Sequence, residues 1–437
     1  MISDINNCDL EKCVEWIKSN SYKTICLQFP ENLMKLSVRT SLFLKKHLKG
    51  VKVFIIGDPT VENCCIDNLN AQHVNADALI HFGHACLTTT KHLPTFYVFA
   101  KENLNLEDFY NKFEAYFDDK NEQILLFYDT DISHIIENIY NKLKSSYTAI
   151  TLTQLLCTSN IKVTDNDQSN LKAVSGRTYP STANIDPETC KALFIGTNEK
   201  SLVPLSIGTD IKNWYHYDGQ EIKKYEIYSS PYFKKRNFLI EKIKDSKTFG
   251  IIVPTINVED IVPITEKLKS ILQEMNKKTY TISIGKINPE KLANFQEIDI
   301  FITLTCPEIA LNSYHGYFKP IVIPGEIEMA FNGARNCYDF PAIDFRQILP
   351  GGSRYVEFQP KEMSDVSLVC GKIRNSKEPN LTDNENLTVS NVINSDFLQM
   401  REWYGLDFSQ DINKEPSIIE MGRDGIPVNY INEKNQQ

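Results

Sequence analysis

The stretch from Val53 to Leu87, VFIIGDPTVENCCIDNLNAQHVNADALIHFGHACL, decides the fold. It contains two short apolar runs, Val53–Ile56 and Ala78–Phe82, and each run ends at a glycine. Short apolar runs closed by turn residues are typical of buried strands, and the residues between them are predicted to form a loop and a short helix. Ligands of open α/β sheets bind outside the carboxyl ends of the strands. The residues that follow the two runs are therefore candidates for a binding site.

Cysteines follow both predicted strands. Cys64 and Cys65 lie in the loop after the first strand, and Cys86 follows the second. Far downstream, Cys306 follows another apolar run, residues 298–305. Thiolates are the ligands that iron–sulfur clusters and zinc prefer in proteins. If these strand ends meet in the fold, Cys65, Cys86 and Cys306 are predicted to form a metal or cluster site.

The residues alone leave three interpretations of these thiols open. In the first, Cys65, Cys86 and Cys306 hold a 4Fe-4S cluster and leave one iron without a protein ligand. In the second, they hold zinc together with His84 or His73. In the third, they are buried thiols that act as small apolar side chains. Cys64 and Cys65 are not both expected to bind, because adjacent side chains diverge, and Cys64 is the less favoured of the two.

Length and charge limit the class of protein. A chain of 437 residues predicts two to four domains, and its formal net charge of −9 argues against a nucleic-acid partner. The N-terminal residues lack a basic region followed by an apolar core, and no apolar run approaches the roughly 20 residues that cross a bilayer. We therefore expect a cytoplasmic protein that binds no membrane. Its 11 cysteines, an odd number, are not expected to form a disulfide framework.

Strands and helices alternate in three successive regions of the chain, which predicts an α/β fold with parallel sheets. Each region is expected to form a domain with a four-stranded parallel sheet flanked by helices. The predicted domains are residues 1–108 with Cys65 and Cys86, residues 109–228, and residues 229–375 with Cys306; residues 376–437 form a linker and C-terminal tail.

The second region differs from the other two at its strand ends. Gly196 occupies the position after the third strand, where the other regions have cysteine, and Cys157 follows the second strand. The fourth strand of this region is placed at residues 202–207, and residues 158–189 are interpreted as loop-rich.

Three motifs resemble the diphthamide-synthesis enzymes. They are GDPTVENCCIDNLNAQHVNADALIHFGHACL from Gly57, KKTYTISIGKINPEKLANFQEIDIFITLTCPE from Lys277, and FKPIVIPGEIEMAF from Phe318. The segment GKINPEKLANF and the tail pattern REWYGL…GRDGIPVNY are most similar to subunit 2 of the eukaryotic two-subunit enzyme, the paralogue of the catalytic subunit.

This resemblance implies three similar α/β domains arranged in a triangle around one 4Fe-4S cluster. The family's enzyme transfers a 3-amino-3-carboxypropyl group from S-adenosylmethionine to a histidine of translation elongation factor 2. In the heterodimer, subunit 1 is catalytic, and subunit 2 supports reduction of the cluster of subunit 1. The further partners implied are a small metal-binding electron donor protein and its reductase. The resemblance does not decide whether this chain itself binds S-adenosylmethionine.

The family's ligand pattern for subunit 2 matches Cys65, Cys86 and Cys306 of this chain. The pattern of the catalytic subunit takes a cysteine from the second domain instead. Cys157 is the nearest match, although Leu156 stands where that pattern has glycine. Two alternatives follow: a self-sufficient transferase that uses Cys157 as a ligand, and a zinc-stabilised scaffold subunit without redox chemistry.

Overall fold

The computed structural model describes residues 7–88, 93–157, 171–180, 185–209, 211–253, 260–311, 316–336, 340–361, 366–369, 371, 425–426 and 429–430. These belong to two compact units, Met1–Glu378 and Pro379–Gln437. The first unit contains three α/β sheets, two fully parallel and one with an additional antiparallel edge strand, which confirms the predicted α/β fold class.

The first sheet has four parallel strands in the order β2-β1-β3-β4. β3 is buried along its whole length, as expected for a central strand covered on both faces. Its last residues lead directly to Gly83 and the segment that contains Cys86. The elements of this layer are α1 (Asn7–Ser19), β1 (Thr24–Gln28), α2 (Ser37–His47), β2 (Lys52–Ile56), α3 (Asn68–His73), β3 (Ala78–Phe82) and β4 (Thr95–Val98).

The second sheet has five strands in the order β12-β11-β10-β5-β6, and its edge strand β12 is antiparallel to β11. A separate antiparallel sheet, β7-β9-β8, occupies part of the segment that was interpreted as loop-rich. The elements of this layer are α4 (Leu106–Tyr116), β5 (Ile124–Tyr128), α5 (Ile136–Lys144), β6 (Ile150–Leu152), β7 (Gln154–Leu155), β8 (Leu171–Val174), β9 (Arg177–Pro180), β10 (Lys191–Ile195), α6 (Glu199–Gly208), β11 (Asn213–Tyr217) and β12 (Ile222–Tyr225).

The prediction of a strand at residues 202–207 is wrong, because these residues lie in helix α6. The side chain of Asn198 accepts a hydrogen bond from the backbone N–H of Lys200 and caps the helix. Leu202 and Leu205 are buried at helical spacing. A short apolar run without clear periodicity does not distinguish a buried helix from a strand. The fourth strand of this sheet is β11 instead.

The third sheet repeats the first, with four parallel strands in the order β14-β13-β15-β16. The buried strand β15 leads through Leu304 and Thr305 to Cys306. The elements of this layer are α7 (Pro231–Asp245), β13 (Thr248–Val253), α8 (Ile261–Glu274), β14 (Lys278–Ser283), α9 (Pro289–Ala293), β15 (Ile300–Thr303), α10 (Pro307–Ala310), β16 (Ile321–Val322) and α11 (Pro324–Phe331).

Each sheet lies inside one of the three predicted domain ranges, and the exact boundaries stay a prediction. Within the second unit, the strands β17 (Gly425–Ile426) and β18 (Asn429–Tyr430) form an antiparallel pair. The rest of the predicted linker and tail, from residue 376, lies outside the described residues. Among the helices of the described ranges, none is long and apolar enough to cross a membrane.

Candidate metal centre

Four thiols from two sheets meet at one point. The Sγ atoms of Cys64, Cys65, Cys86 and Cys306 all lie within 4.8 Å of one another. The Sγ–Sγ distances are 3.9 Å between Cys64 and Cys65, 3.7 Å between Cys65 and Cys86, and 4.0 Å between Cys64 and Cys306. Cys65, Cys86 and Cys306 are buried, whereas Cys64 is partly exposed. We call these residues the four-thiol group. Its donor set and spacing fit a thiolate-bound metal.

The loop that contains Cys65 is held by side chains outside the group. Gln28, at the end of β1, donates from Nε2 to the Cys65 carbonyl at 2.8 Å, and its Oε1 accepts from the Asp67 N–H at 2.9 Å. The buried Asp67 carboxylate in turn accepts hydrogen bonds from the N–H groups of Thr60 at 2.7 Å and Asn70 at 3.0 Å. These bonds tie both ends of the loop to the sheet and fix Cys65.

The segment that contains Cys86 contacts both the first and the second sheet. The Cys86 N–H donates to the Cys64 carbonyl at 3.0 Å, which joins the two cysteine loops directly. Ala85 and Leu87, on either side of Cys86, pack in the core of the second sheet. On the far side, Gly176 approaches so closely that a Cβ atom there would lie 2.6 Å from the Leu87 Cβ and 2.7 Å from the Cys86 carbonyl oxygen.

Cys306 reaches the group from the third sheet. It is the N-cap residue of α10, and its carbonyl oxygen accepts from the Ala310 N–H at 2.9 Å. Pro307 occupies the first turn of this helix, where no backbone N–H is required. The strand end and the turn together aim the Cys306 thiol at Cys64.

Proximity and burial change the pKa values of the four thiols. Hydrogen bonding to Cys306, with burial, raises the pKa of Cys64 and of Cys65 well above its usual value, and burial raises the pKa of Cys306. Hydrogen bonds from the other thiols lower the pKa of Cys86 well below its usual value. Once one of the four thiols has lost its proton, a second negative charge nearby is unfavourable. A bound cation would stabilise the deprotonated group.

His84 links the loops of all three sheets. Its Nε2 donates to Glu308 Oε2 at 2.8 Å, and its Nδ1 lies 3.3 Å from Asp129 Oδ1 and 3.0 Å from Thr130 Oγ1. Asp129 follows β5, and Glu308 lies in α10. We call His84, Asp129 and Glu308 the three-loop junction.

The junction combines a protonated histidine with two buried carboxylates. Burial alone would lower the pKa of His84, but its hydrogen bonds to Asp129 and Glu308 outweigh this effect and raise the pKa to about 11. Burial would raise the pKa of Asp129, but His84 and Arg177 hold that pKa below its usual value. His84 is therefore a cation at neutral pH.

A cavity of about 720 Å³ opens beside the group. Of the four thiols, only the partly exposed Cys64 lines it. Its wall also includes the carboxylates of Glu31, Glu62, Asp131 and Glu308. Burial, with the nearby charge of Asp129, raises the pKa of Asp131 to about 6. The cavity gives solvent and ligands access to one edge of the four-thiol group.

The structure brings Cys65, Cys86 and Cys306 together and adds Cys64 to them. Cys64 belongs to the group, so the expectation that adjacent side chains diverge is wrong. Cys157 is buried in the core of the second sheet with Ala85 and Leu87 and is not in the four-thiol group.

Neither histidine proposed for zinc is part of the group within the described residues. Both ring nitrogens of His84 are occupied by the junction, and His73 is exposed at the end of α3. Sequence reasoning missed Gln28, Asp129 and Glu308, because their positions in the chain show no spacing that relates them to the cysteines.

Fold and site together define an α/β protein with three parallel sheets and a buried group of thiols able to hold a metal. The family model described as "Putative diphthamide synthesis protein" matches residues 29–340. The chain belongs to this diphthamide synthesis family.

Its relatives include the proteins named 2-(3-amino-3-carboxypropyl)histidine synthase subunit 2. The Xenopus laevis protein is 31% identical over 97% of this chain and 92% of its own length. The Danio rerio protein is 30% identical over 98% and 91%, and the Schizosaccharomyces pombe protein is 26% identical over 98% and 91%.

Two solved structures of Dph2 from Pyrococcus horikoshii share the fold. The first has a TM-score of 0.60 and 20% identity, and the match covers 82% of this chain and 98% of that one. The second, described as containing a 4Fe-4S cluster, has a TM-score of 0.59 and 21% identity, and the match covers 76% and 93%.

Proposed function

We propose that this chain is the iron–sulfur subunit 2 of the enzyme for the first step of diphthamide biosynthesis. That enzyme transfers a 3-amino-3-carboxypropyl group from S-adenosylmethionine to a histidine of translation elongation factor 2. The names of the relatives support this proposal. The observation that supports it most directly is the meeting of four thiols from two sheets at one buried point.

Cys65, Cys86 and Cys306 are proposed to hold a 4Fe-4S cluster, with Cys64 as a fourth ligand. The likeness to a Dph2 structure that contains such a cluster supports this assignment. Bound there, the cluster would supply one-electron transfer. The chain's own contribution is to hold the four thiolates through Gln28 and the backbone bond between Cys86 and Cys64, and to exclude water from three of them.

The participation of Cys64 supports an accessory role in preference to a catalytic one. With three cysteine ligands, one iron keeps a position open for a substrate or cofactor. With four, every iron has a protein ligand, which is typical of electron-transfer clusters. We therefore propose that this chain supports reduction of the cluster in a paralogous catalytic subunit, and that S-adenosylmethionine is bound by that subunit.

The partners proposed for this chain follow from that role. They are the paralogous subunit 1 in a heterodimer, elongation factor 2 as protein substrate, and a small metal-binding electron donor protein with its reductase. The naming of the relatives as a synthase subunit supports the first of these. The complex is proposed to act in the cytoplasm, where elongation factor 2 functions.

The zinc-stabilised scaffold is a second candidate because of the thiol spacing. A metal–sulfur distance of about 2.3 Å, typical of zinc, places tetrahedral sulfur ligands about 3.8 Å apart. Three of the six Sγ–Sγ distances, at 3.7–4.0 Å, match that geometry, and all six lie within 4.8 Å. A cluster needs the thiolates further apart, since the iron and sulfide atoms lie between them. Metal analysis distinguishes the two candidates directly.

The test is to purify the full chain without oxygen, alone and together with its paralogous subunit. Iron and sulfide contents of about four per chain and a paramagnetic signal after reduction are expected for a 4Fe-4S cluster. The chain alone should not modify elongation factor 2, whereas the heterodimer with a reductant should add the 3-amino-3-carboxypropyl group. One zinc per chain in a colourless protein would contradict the cluster, and modification by the chain alone would contradict the accessory role.

A further inference from the structure

The three-loop junction adjoins the four-thiol group along the chain. His84 is two residues before Cys86, and Glu308 is two residues after Cys306. The hydrogen bond between His84 and Glu308 therefore links the two segments that bring thiols from different sheets. Asp129 connects the second sheet to these two segments, although none of the described residues of that sheet belongs to the four-thiol group.

The second sheet holds both carboxylates of the junction in place. The Asp129 carboxylate accepts from the Thr130 N–H at 2.7 Å and lies 3.9 Å from the buried Arg177 guanidinium. Glu308 Oε1 accepts from the hydroxyl of Ser201 in α6 at 3.2 Å. Both carboxylates are thus held by residues of the second sheet and its helix α6. The His84 imidazole lies between them and therefore determines the position of the segment that contains Cys86.

We propose that His84 is a positioning residue that fixes Cys86 relative to Cys306 by binding Asp129 and Glu308 at the same time. It acts through these two segments and does not bind the metal itself, because both of its ring nitrogens are already occupied. This role rests on the proposed function only in that the group is taken to bind a metal.

Loss of His84 has a definite physical consequence. Asp129 is 3% and Glu308 is 7% exposed, so without His84 both buried carboxylates would lose a hydrogen-bond partner. Removing one partner of a buried carboxylate is strongly unfavourable, even though Arg177 stays near Asp129 and Ser201 near Glu308. The segments that contain Cys86 and Cys306 should move apart, and the four sulfur atoms should no longer converge.

The experiment measures binding of Co²⁺ alone to the reduced, metal-free full chain. Tetrahedral thiolate coordination of Co²⁺ gives intense sulfur-to-cobalt and d–d absorption bands. His84→Leu should weaken Co²⁺ binding about 10- to 100-fold, the usual effect of removing a partner that orients a ligand. His84→Gln, which can still donate hydrogen bonds, should recover part of the affinity and of the band pattern.

The matched control is Arg236→Met. Arg236 forms a buried ion pair with Glu326, with Nε 2.5 Å from Oε1, and this pair joins α7 to α11 within the third layer. Its loss also removes the partner of a buried carboxylate, but both residues lie in helices and neither lies in a loop that contains a thiol of the group. Arg236→Met should therefore lower the stability of the protein and leave the Co²⁺ spectrum unchanged.

The inference is overturned if folded His84→Leu binds Co²⁺ with the affinity and spectrum of the unaltered chain. It is also overturned if Arg236→Met changes both to the same extent. Should His84→Leu fail to fold, Glu308→Gln makes the same test with a smaller change of shape. This test uses cobalt and does not require an iron–sulfur cluster. A purified chain without a cluster would contradict the proposed function, but the role of His84 could still be tested.

Discussion

The first and second sheets have the same strand order but different chemistry at their strand ends. β2-β1-β3-β4 in the first corresponds to β6-β5-β10-β11 in the second, and the third sheet repeats the order again. The segment after β3 contains Cys86, whereas the segment after β10 begins with Gly196. A Cβ atom at Gly196 would lie 2.7 Å from the Asp129 Cβ, so only glycine lets Asp129 approach this closely.

The space left by this glycine is used by a charged side chain. The Asp129 N–H donates to the Ile195 carbonyl at 2.9 Å, which holds Asp129 beside Gly196, and the Asp129 carboxylate binds His84. The equivalent sheets therefore share their strand order, whereas the residues that follow their strands differ in chemical function. The first and third sheets bring thiols, and the second brings the carboxylate that positions them.

Removing one thiol from each kind of sheet gives the largest expected difference. Cys86→Ala deletes a member of the four-thiol group, and Cys157→Ala deletes a buried thiol of the second sheet. Both side chains are small and buried, so the cost to packing is similar. Iron content of the purified protein should fall at least tenfold in Cys86→Ala and stay within about twofold in Cys157→Ala. The reverse result would show that Cys157 is a cluster ligand and would support the alternative of a self-sufficient transferase.

The contact between the two sheets should have the next largest effect. Gly176 has φ +74° and no room for a Cβ beside Leu87, whereas Gly50 has φ +81° and no atom within 4 Å of that position. Gly176→Ala adds a clash to the backbone strain, so we expect it to lower the free energy of unfolding by about 2 to 4 kcal/mol. Gly50→Ala has the strain alone and should cost about 1 kcal/mol.

Urea unfolding of the metal-free protein measures both changes. Equal losses in the two variants would show that Gly176 does not press on the segment with Cys86.

The sequence predicted those parts of the molecule that depend on local pattern. Buried runs such as Ala78–Phe82 and Phe249–Val253 are strands because their apolar residues need cover on both faces. The places of Cys65, Cys86 and Cys306 at strand ends predicted a shared site only on the condition that those strand ends meet, and the structure brings the three thiols together. A short apolar run without periodicity, residues 202–207, was assigned to the wrong element.

The three-loop junction could not be predicted from local sequence patterns. His84 and Glu308 are 224 positions apart, and neither residue type indicates a partner by its spacing. Their contact exists only after three sheets have packed together. Cys64 was the less favoured ligand because neighbouring side chains usually diverge, but the loop held by Gln28 and Asp67 brings both thiols into the group.

The smallest of these effects concerns the support of a single loop within the first sheet. Gln28→Leu keeps the approximate volume of the side chain but leaves the Cys65 carbonyl and the Asp67 N–H without their partner. Unpaired buried polar groups cost about 1 to 3 kcal/mol, and urea unfolding should show a loss in that range. Gln72→Leu, at an exposed position of α3, should change stability by less than about 0.5 kcal/mol.

Gln28 supports one cysteine loop, whereas His84 joins loops from three sheets. Gln28→Leu should therefore weaken Co²⁺ binding less than His84→Leu does. A larger loss in Gln28→Leu would mean that the first sheet alone determines the thiol geometry and that the second sheet contributes little to it.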